Sequence, residues 1–457
     1  MKRPKLKSWL IALAVVGALS SCDAIMEDRD DCPTGLYVTF VYDYNIQRAD
    51  MLKDHVGGLT LYVYDESDRL VASKTIGAGQ LSKYGSYIHF TEGELPPGHD
   101  YRLMAVAMQK DWNAALATPG AKYRQTGNSA GSEWSQFFID LDHTATAAAS
   151  RAAVLPQQSA SRSRAAVFPH QTRSAANYYY VSNAAPLDTL WHTLDTYTTP
   201  ADSMPKTMYP AMLTPAKTDY TWQRDGSIKS SGQERVRIVQ DEPTYATLSL
   251  IRDTKHLNVT LRALNYNLSN NTLEDNYVND EDYTVEIIDN NSQLDCHNNL
   301  TKPADTLVYR PYQQWTTTFV GSGDVPSESA AHYDLMFNRL IYKNASVEND
   351  KYAILNEEDI AKAKNAVLII RKKNGNALEP VGNNDSDIIF AINLPYILSS
   401  GRTWVERYYH YQEYLDREYD YRLQFIIRGG HVDEIQLFLG THVHIIPWAL
   451  RQQHEEF

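Results

Sequence analysis

Residues 35–45 read Gly-Leu-Tyr-Val-Thr-Phe-Val-Tyr-Asp-Tyr-Asn, with Leu36, Val38, Phe40, Tyr42 and Tyr44 on every second position. Successive side chains of an extended chain point to opposite faces, so this spacing places those five residues on one face of a half-buried strand. The same grammar recurs downstream. Leu59, Leu61 and Val63 alternate, residues 65–69 make a turn, and Leu70-Val71 starts a return strand. Tyr101, Leu103, Ala105 and Ala107 alternate after the turn Pro96-Pro97-Gly98. Short alternating runs separated by turn residues are the mark of hairpin-rich antiparallel sheet.

The second half repeats the pattern. Apolar runs at 246–251 and 257–264 flank a turn at Asp253-Thr254-Lys255, and Tyr283, Val285 and Ile287 alternate. Residues 367–370 run into Asn374-Gly375, a strong hairpin signal. Segments 388–394, 421–427, 435–439 and 443–446 complete the set, and helices are expected only over 357–364 and 411–416. The fold class is therefore all-β. A chain of 457 residues is too long for one core. The simplest architecture is two β-sandwich domains in series, over residues 35–239 and 240–457. Residues 144–174 interrupt the first with an Ala-, Ser- and Arg-rich insertion that has no strand periodicity and carries Arg151, Arg162, Arg164 and Arg173.

The N-terminus has a different composition. Lys2, Arg3, Lys5 and Lys7 precede an apolar run over 9–19, which ends in Leu19-Ser20-Ser21-Cys22. The run is too short to span a bilayer and has the layout of a cleavable signal peptide over residues 1–21. A branched residue, two small residues and a cysteine form the recognition box of bacterial lipoprotein signal peptidase, so Cys22 is the expected lipidation site. Each buried methylene contributes about 0.8 kcal/mol, so the several chains of an acylated cysteine hold a protein on a membrane without crossing it. Residues 22–34 then form an acidic tether with Asp23, Glu27, Asp28, Asp30 and Asp31.

Formal net charge is −13, and loss of the four basic leader residues leaves −17. Such a body repels nucleic acid and anionic lipid, so neither is an expected partner. With Cys22 acylated, Cys32 and Cys296 remain. Outside the cytoplasm they form either a disulfide that clips the N-terminal arm to a distant strand or two free thiols.

Motifs of enzyme chemistry are missing. The chain lacks G-x-S-x-G, H-E-x-x-H, a P-loop and a dinucleotide fingerprint. His442 and His444 share a strand face, with His431 upstream, but no carboxylate stands at matched spacing, and cross-strand polar packing is the better reading. Residues 265–282 are dense in Asn, Asp and Glu yet lack the ligand order and glycine of a calcium loop. Glu413, Asp416 and Glu418 read as a charged surface segment ahead of strand 421–427, not as a catalytic pair. No catalytic residue, metal or cofactor is expected. The 31 tyrosines fit half-buried strands. Tyr178-Tyr179-Tyr180 and Tyr408-Tyr409 leave open an alternative function as a surface glycan-binding lipoprotein.

Five segments together carry a family resemblance. Asp31-Cys32-Pro33 leads into residues 36–45, and residues 56–65 read Val-Gly-Gly-Leu-Thr-Leu-Tyr-Val-Tyr-Asp. Residues 250–259 read Leu-Ile-Arg-Asp-Thr-Lys-His-Leu-Asn-Val, residues 392–396 Ile-Asn-Leu-Pro-Tyr, and residues 412–418 Gln-Glu-Tyr-Leu-Asp-Arg-Glu. With the lipidation box, these resemble the fimbrillin-associated anchor lipoproteins of Bacteroidales type V pili, the last motif most specifically. The insertion at 144–174 and the His-rich ending before Trp448 depart from that pattern. The resemblance implies two transthyretin-like β-sandwich domains and a non-enzymatic role: holding a fimbrial shaft to the outer membrane, and affecting its length, through strand-addition contacts with a shaft subunit. The acidic tether resembles the surface-export signal of such lipoproteins, which implies exposure on the cell surface. Asp188-Thr189-Leu190 and Asp305-Thr306-Leu307 resemble the Bacteroidales O-glycosylation pattern, which would make Thr189 and Thr306 acceptors.

Overall fold

The structure is a computed structural model that describes residues 33–81, 87–110, 114, 117–126, 132–145, 178–199, 221–222, 228–229, 235–267, 272–273, 277–302, 305–343, 355, 360, 363–372, 388–403, 410–428, 431–439 and 442–446. Cys22, Cys32 and most of the 144–174 insertion lie outside them. So do most of the helix expected over 357–364, Tyr408-Tyr409, and the side chains of His431, His442 and His444.

The first eight-stranded sheet runs Leu70–Gly77, Gly58–Tyr64, Asp100–Met108, Leu190–Thr199, Pro243–Arg252, Gly35–Val41 and Ile88–Phe90, with Val236–Arg237 added beside Asp100–Met108. It curls until its two edges meet, where Lys74 Nζ donates to the His89 carbonyl at 2.7 Å and pairs with Glu94. One face closes over Leu36, Val38, Phe40, Leu59, Leu61, Val63, Leu103, Trp191 and Leu248. A one-residue slip of the opening strand would expel Leu36, Val38 and Phe40, at about 1.5–3 kcal/mol each, so burial fixes the register.

Gly35–Val41 pairs in parallel with Pro243–Arg252, from Gly35 opposite Pro243 to Val41 opposite Ser249. Thr39 and Thr247 hydroxyls add a buried contact at 2.9 Å across 208 residues of sequence. This pairing decides which sheet the strand before the turn at Asp253-Thr254-Lys255 joins. Pro243–Arg252 belongs to the first sheet, although it follows the division expected near residue 240. The strands on the two sides of Asp253-Thr254 lie in different sheets, and the segment carries the chain from one sandwich to the other.

The second sandwich has two six-stranded sheets. One runs Gln313–Phe319, Glu328–Phe337, Lys255–Ala263, Asp420–Arg428, His431–Leu439 and His442–Ile446. The other runs Ile388–Asn393, Val367–Lys372, Tyr283–Asp289, Thr306–Tyr309, Tyr178–Tyr180 and Thr144–Ala145. Their inner faces bury Leu257, Val259, Leu261, Val285, Ile287, Tyr333, Leu335, Leu368, Leu423 and Phe425 in one cluster. That cluster continues into the first half through Tyr64, Met104, Tyr123, Trp134 and Phe137. A three-stranded sheet of Gln293–Asp295, Phe138–Leu141 and Tyr123–Thr126 draws on both halves of the chain. The all-β, two-sandwich architecture is observed, with the halves sharing core and strands.

Candidate functional site: a buried joint between the sandwiches

The crossing segment is held by side chains that turn inward. Asp253 N–H donates to the Leu190 carbonyl at 2.9 Å, and the Thr254 hydroxyl accepts from Leu190 N–H at 3.0 Å and contacts the Tyr123 hydroxyl at 3.0 Å. Asn298 Nδ2 donates to Asp253 Oδ1 at 2.7 Å. Arg252 lies 3.9 Å from the centroid of Tyr419 and donates from Nε to the Thr254 carbonyl at 3.1 Å. Cation–π contact with the half-buried Tyr419 ring, plus a hydrogen bond, lets the Arg252 guanidinium sit on an interior face.

Lys255, the first residue of the second sandwich, is fully buried. Its ammonium donates to the carbonyls of Asp416 and Glu418 at 2.8 and 3.0 Å. These close the helix Tyr411–Arg417, which the sequence predicts. Arg339 forks onto Asp416 from Nε and Nη2 at 3.1 and 3.0 Å, and its Nη1 donates to the Asn298 carbonyl. Gln412 Nε2 donates to Asp416 Oδ1 at 3.0 Å and to the Leu340 carbonyl at 2.9 Å. The two side chains of the Arg339–Asp416 pair are 2% and 0% exposed. Asp416 is therefore not part of a charged surface segment; a bidentate guanidinium compensates its burial. The same helix reaches the opening strand region, where the Arg417 guanidinium lies 4.0 Å from the Tyr44 ring centroid.

The electrostatics follow from exclusion of water. Burial pushes the Asp253 carboxyl up to about 7 against the pull of Arg339 and Asn298. Burial also pulls the Lys255 ammonium down to about 8, opposed by Asp416 and Asp253. Removing an ion from water costs several kcal/mol, so such a cluster adds little net stability. What it imposes is geometry: each donor is satisfied in one relative placement of crossing segment, helix and sheet. Closed to solvent, the cluster works as a joint. The spacing of these residues did not announce it, because Lys255, Arg339 and Asp416 are far apart in sequence and read singly as surface charges.

The other sequence candidates lie elsewhere. Among the described residues Cys296 is free and buried, and its thiol is pushed up to about 12, first by burial and then by Asp295; Cys32, the other half of the possible disulfide, is outside the described residues. Thr189 and Thr306 are each 1% exposed. Thr189 Oγ1 donates to Gln109 Oε1 at 3.1 Å and accepts from Arg252 at 3.4 Å, while Thr306 Oγ1 accepts from Asn290 at 2.9 Å. In the folded sheet both hydroxyls are buried, so a glycan at either would have to be added before folding. Among the described residues, no group of three or more His, Cys, Asp or Glu side chains is placed to hold a metal ion.

Residues 29–153 and 211–454 match the family of fimbrillin-A associated anchor proteins Mfa1 and Mfa2. The chain belongs to this family. Three of the segments that carried the resemblance, around 36–45, 250–259 and 412–418, are those that converge on the joint. No curated protein matches the sequence. A proposed adhesin from Bacteroides thetaiotaomicron shares the fold, with TM-score 0.54, 17% identity, and coverage of 91% of this chain and 99% of that one. Proposed polysaccharide-binding proteins from the same organism superpose with TM-score 0.52 at 19% identity, over 91% of this chain and 98% of theirs. The fimbrial anchor protein Mfa2 from Porphyromonas gingivalis matches with TM-score 0.44 and 12% identity, over 91% of this chain and 100% of that one. The fimbrillin-A associated anchors are structural proteins of fimbriae, and membership associates this chain with the cell surface.

Proposed function

We propose that this chain is a lipid-anchored outer-membrane protein that holds a fimbrial shaft at the cell surface and thereby affects fibre length. Acyl chains on Cys22 fix the N-terminus, strand addition engages a shaft subunit, and the two sandwiches carry load between them. The observation that best supports the reading is the placement of Gly35–Val41. The strand next to the tether is not at a frayed edge; it lies between Pro243–Arg252 and Ile88–Phe90. The end of its parallel partner farthest from the tether leads into the joint. Tension applied at residue 33 and withdrawn beyond Arg252 pulls the two strands along their length, so the ladder bonds share the load.

The reading is tested by purifying fibres from cells that carry the intact chain or Cys22→Ala. Release of fibres into the medium by the variant supports it; unchanged retention on cells rejects it. The rival, glycan binding, draws on the proposed polysaccharide-binding relatives and on exposed Trp315. Glycan-array binding lost in Trp315→Ala, with fibres still retained, would favour the rival.

A further inference from the structure

We infer that the free edge of strand Gln313–Phe319 is the docking site for an extended strand of the fibre subunit, apolar along one row and basic at one end. The inference deepens the strand-addition reading above and rests on it.

A sheet edge offers a row of unpaired main-chain donors and acceptors, and proteins blunt such edges with length, charge or cover. Most outer edges of the three large sheets are short, charged or covered. Leu70–Gly77 carries Lys74, tied down at His89 and Glu94. Ile88–Phe90 has three residues and Thr144–Ala145 two. Ile388–Asn393 receives a backbone bond from Leu355 N–H to the Ala391 carbonyl at 2.9 Å. His442–Ile446 has five residues.

Gln313–Phe319 combines length with the lack of any blunting device among the described residues. Its seven residues, Gln-Gln-Trp-Thr-Thr-Thr-Phe, include no charge, proline or glycine. One side pairs with Glu328–Phe337 over the whole length, and the other is open among the described residues. Apolar exposure concentrates here too. Of the eight large apolar side chains exposed among the described residues, Trp315, Phe319, Val320 and Val325 lie on this strand or the turn after it, and Tyr277 lies beside its end. Clustered exposed apolar groups on an uncovered edge mark a surface kept for a partner.

Charge limits which strand fits. Asp280, Glu281 and Asp282 border the strand, Asp280 accepting from the Thr316 hydroxyl at 2.6 Å, and Asp324 stands in the turn. The nearby cation, Arg262, is already paired with Glu328 at 2.7 Å. A docking strand with Lys or Arg at one end meets this acidic rim favourably, and an acidic strand is repelled. Side chains alternate along the edge, so every second residue of the guest lies alongside Trp315 and Phe319.

The test uses the full chain with Cys32→Ser and a reporter thiol, Thr317→Cys on this edge or Val71→Cys on the first sheet, labelled with a biotin maleimide. On purified, folded protein both thiols label fast. On cells bearing assembled fibres, Thr317→Cys is expected to label about tenfold or more slowly while Val71→Cys is unchanged. Equal labelling of both on cells overturns the proposal, and if Cys22→Ala still releases fibres the anchor reading survives that failure. Protection of Thr317→Cys in purified monomer means that part of this chain covers the edge, and protection that grows with concentration means a second copy does; either result also overturns it. Adding Gln313→Lys and Thr318→Lys to the otherwise native chain should weaken fibre retention without changing its thermal unfolding. Full retention with both lysines present would count equally against the proposal.

Discussion

Gly35 stands opposite Pro243, and from there the parallel register runs unbroken to Val41 opposite Ser249. Because the tether enters at one end of this pair and the chain leaves for the second sandwich at the other, tension between them shears the ladder. Pulling a single molecule from residue 22 and from Phe319→Cys should therefore require several times the force needed from residue 22 and Asp241→Cys, which unzips the pair bond by bond. Equal rupture forces would mean that the load does not pass through this ladder.

The joint predicts a non-additive pair of variants. Arg339→Met leaves Asp416 buried without its cation and should cost about 3–5 kcal/mol in denaturant unfolding, as should Asp416→Leu alone. The double variant Arg339→Met with Asp416→Leu removes both charges and should be more stable than either single one. Additive losses would show that the pair does not act as a unit.

Part of this was legible in the sequence and part was not. Alternation of Leu36, Val38 and Phe40, or of Leu59, Leu61 and Val63, reports which face is buried because burial is local to the strand. The helix over Tyr411–Arg417 was likewise visible. The partner of a strand is not a local property. Pro243–Arg252 and Lys255–Ala263 flank a short polar turn as hairpin strands do, and only the distant pairing with Gly35–Val41 separates them. The joint was hidden for a related reason. Asp416 sits among Glu413 and Glu418 and reads as surface charge until Arg339, distant in sequence, forks onto its carboxylate. The burial of Thr189 and Thr306 was not legible either, because a short acceptor pattern carries no information about burial.

Stability should depend on pH through His256. Burial opposes the charged ring, but the hydrogen bond to Asp420 at 2.7 Å and the Asp334 carboxylate 3.5 Å from Nε2 outweigh it and raise the imidazole to about 9 from 6.5. Below about pH 6.5 the ring is charged in folded and unfolded chains alike, and its contribution is complete. Between there and about 9 only the folded chain keeps the proton, so stability falls as pH rises and the contribution is gone above that window. With the side chain 25% exposed, about 1–2 kcal/mol is expected after solvent screening. Denaturation of the native chain and His256→Asn should give curves that converge as pH rises. A difference between them that is constant with pH would refute this.

Cys296 should be inert in the folded protein, since its thiol is buried and pushed up to about 12. Iodoacetamide at neutral pH should leave it unmodified until denaturant is added, after which it should label without reductant. Labelling at Cys296 that needs a reductant as well as denaturant would instead establish the disulfide with Cys32.

Retention of fibres on cells is the direct test of the anchor itself. With Cys22→Ala exported at normal level, fibres should leave with the medium, carrying the unlipidated chain at one end. Fibres that remain on cells as firmly as with the native chain would contradict the account.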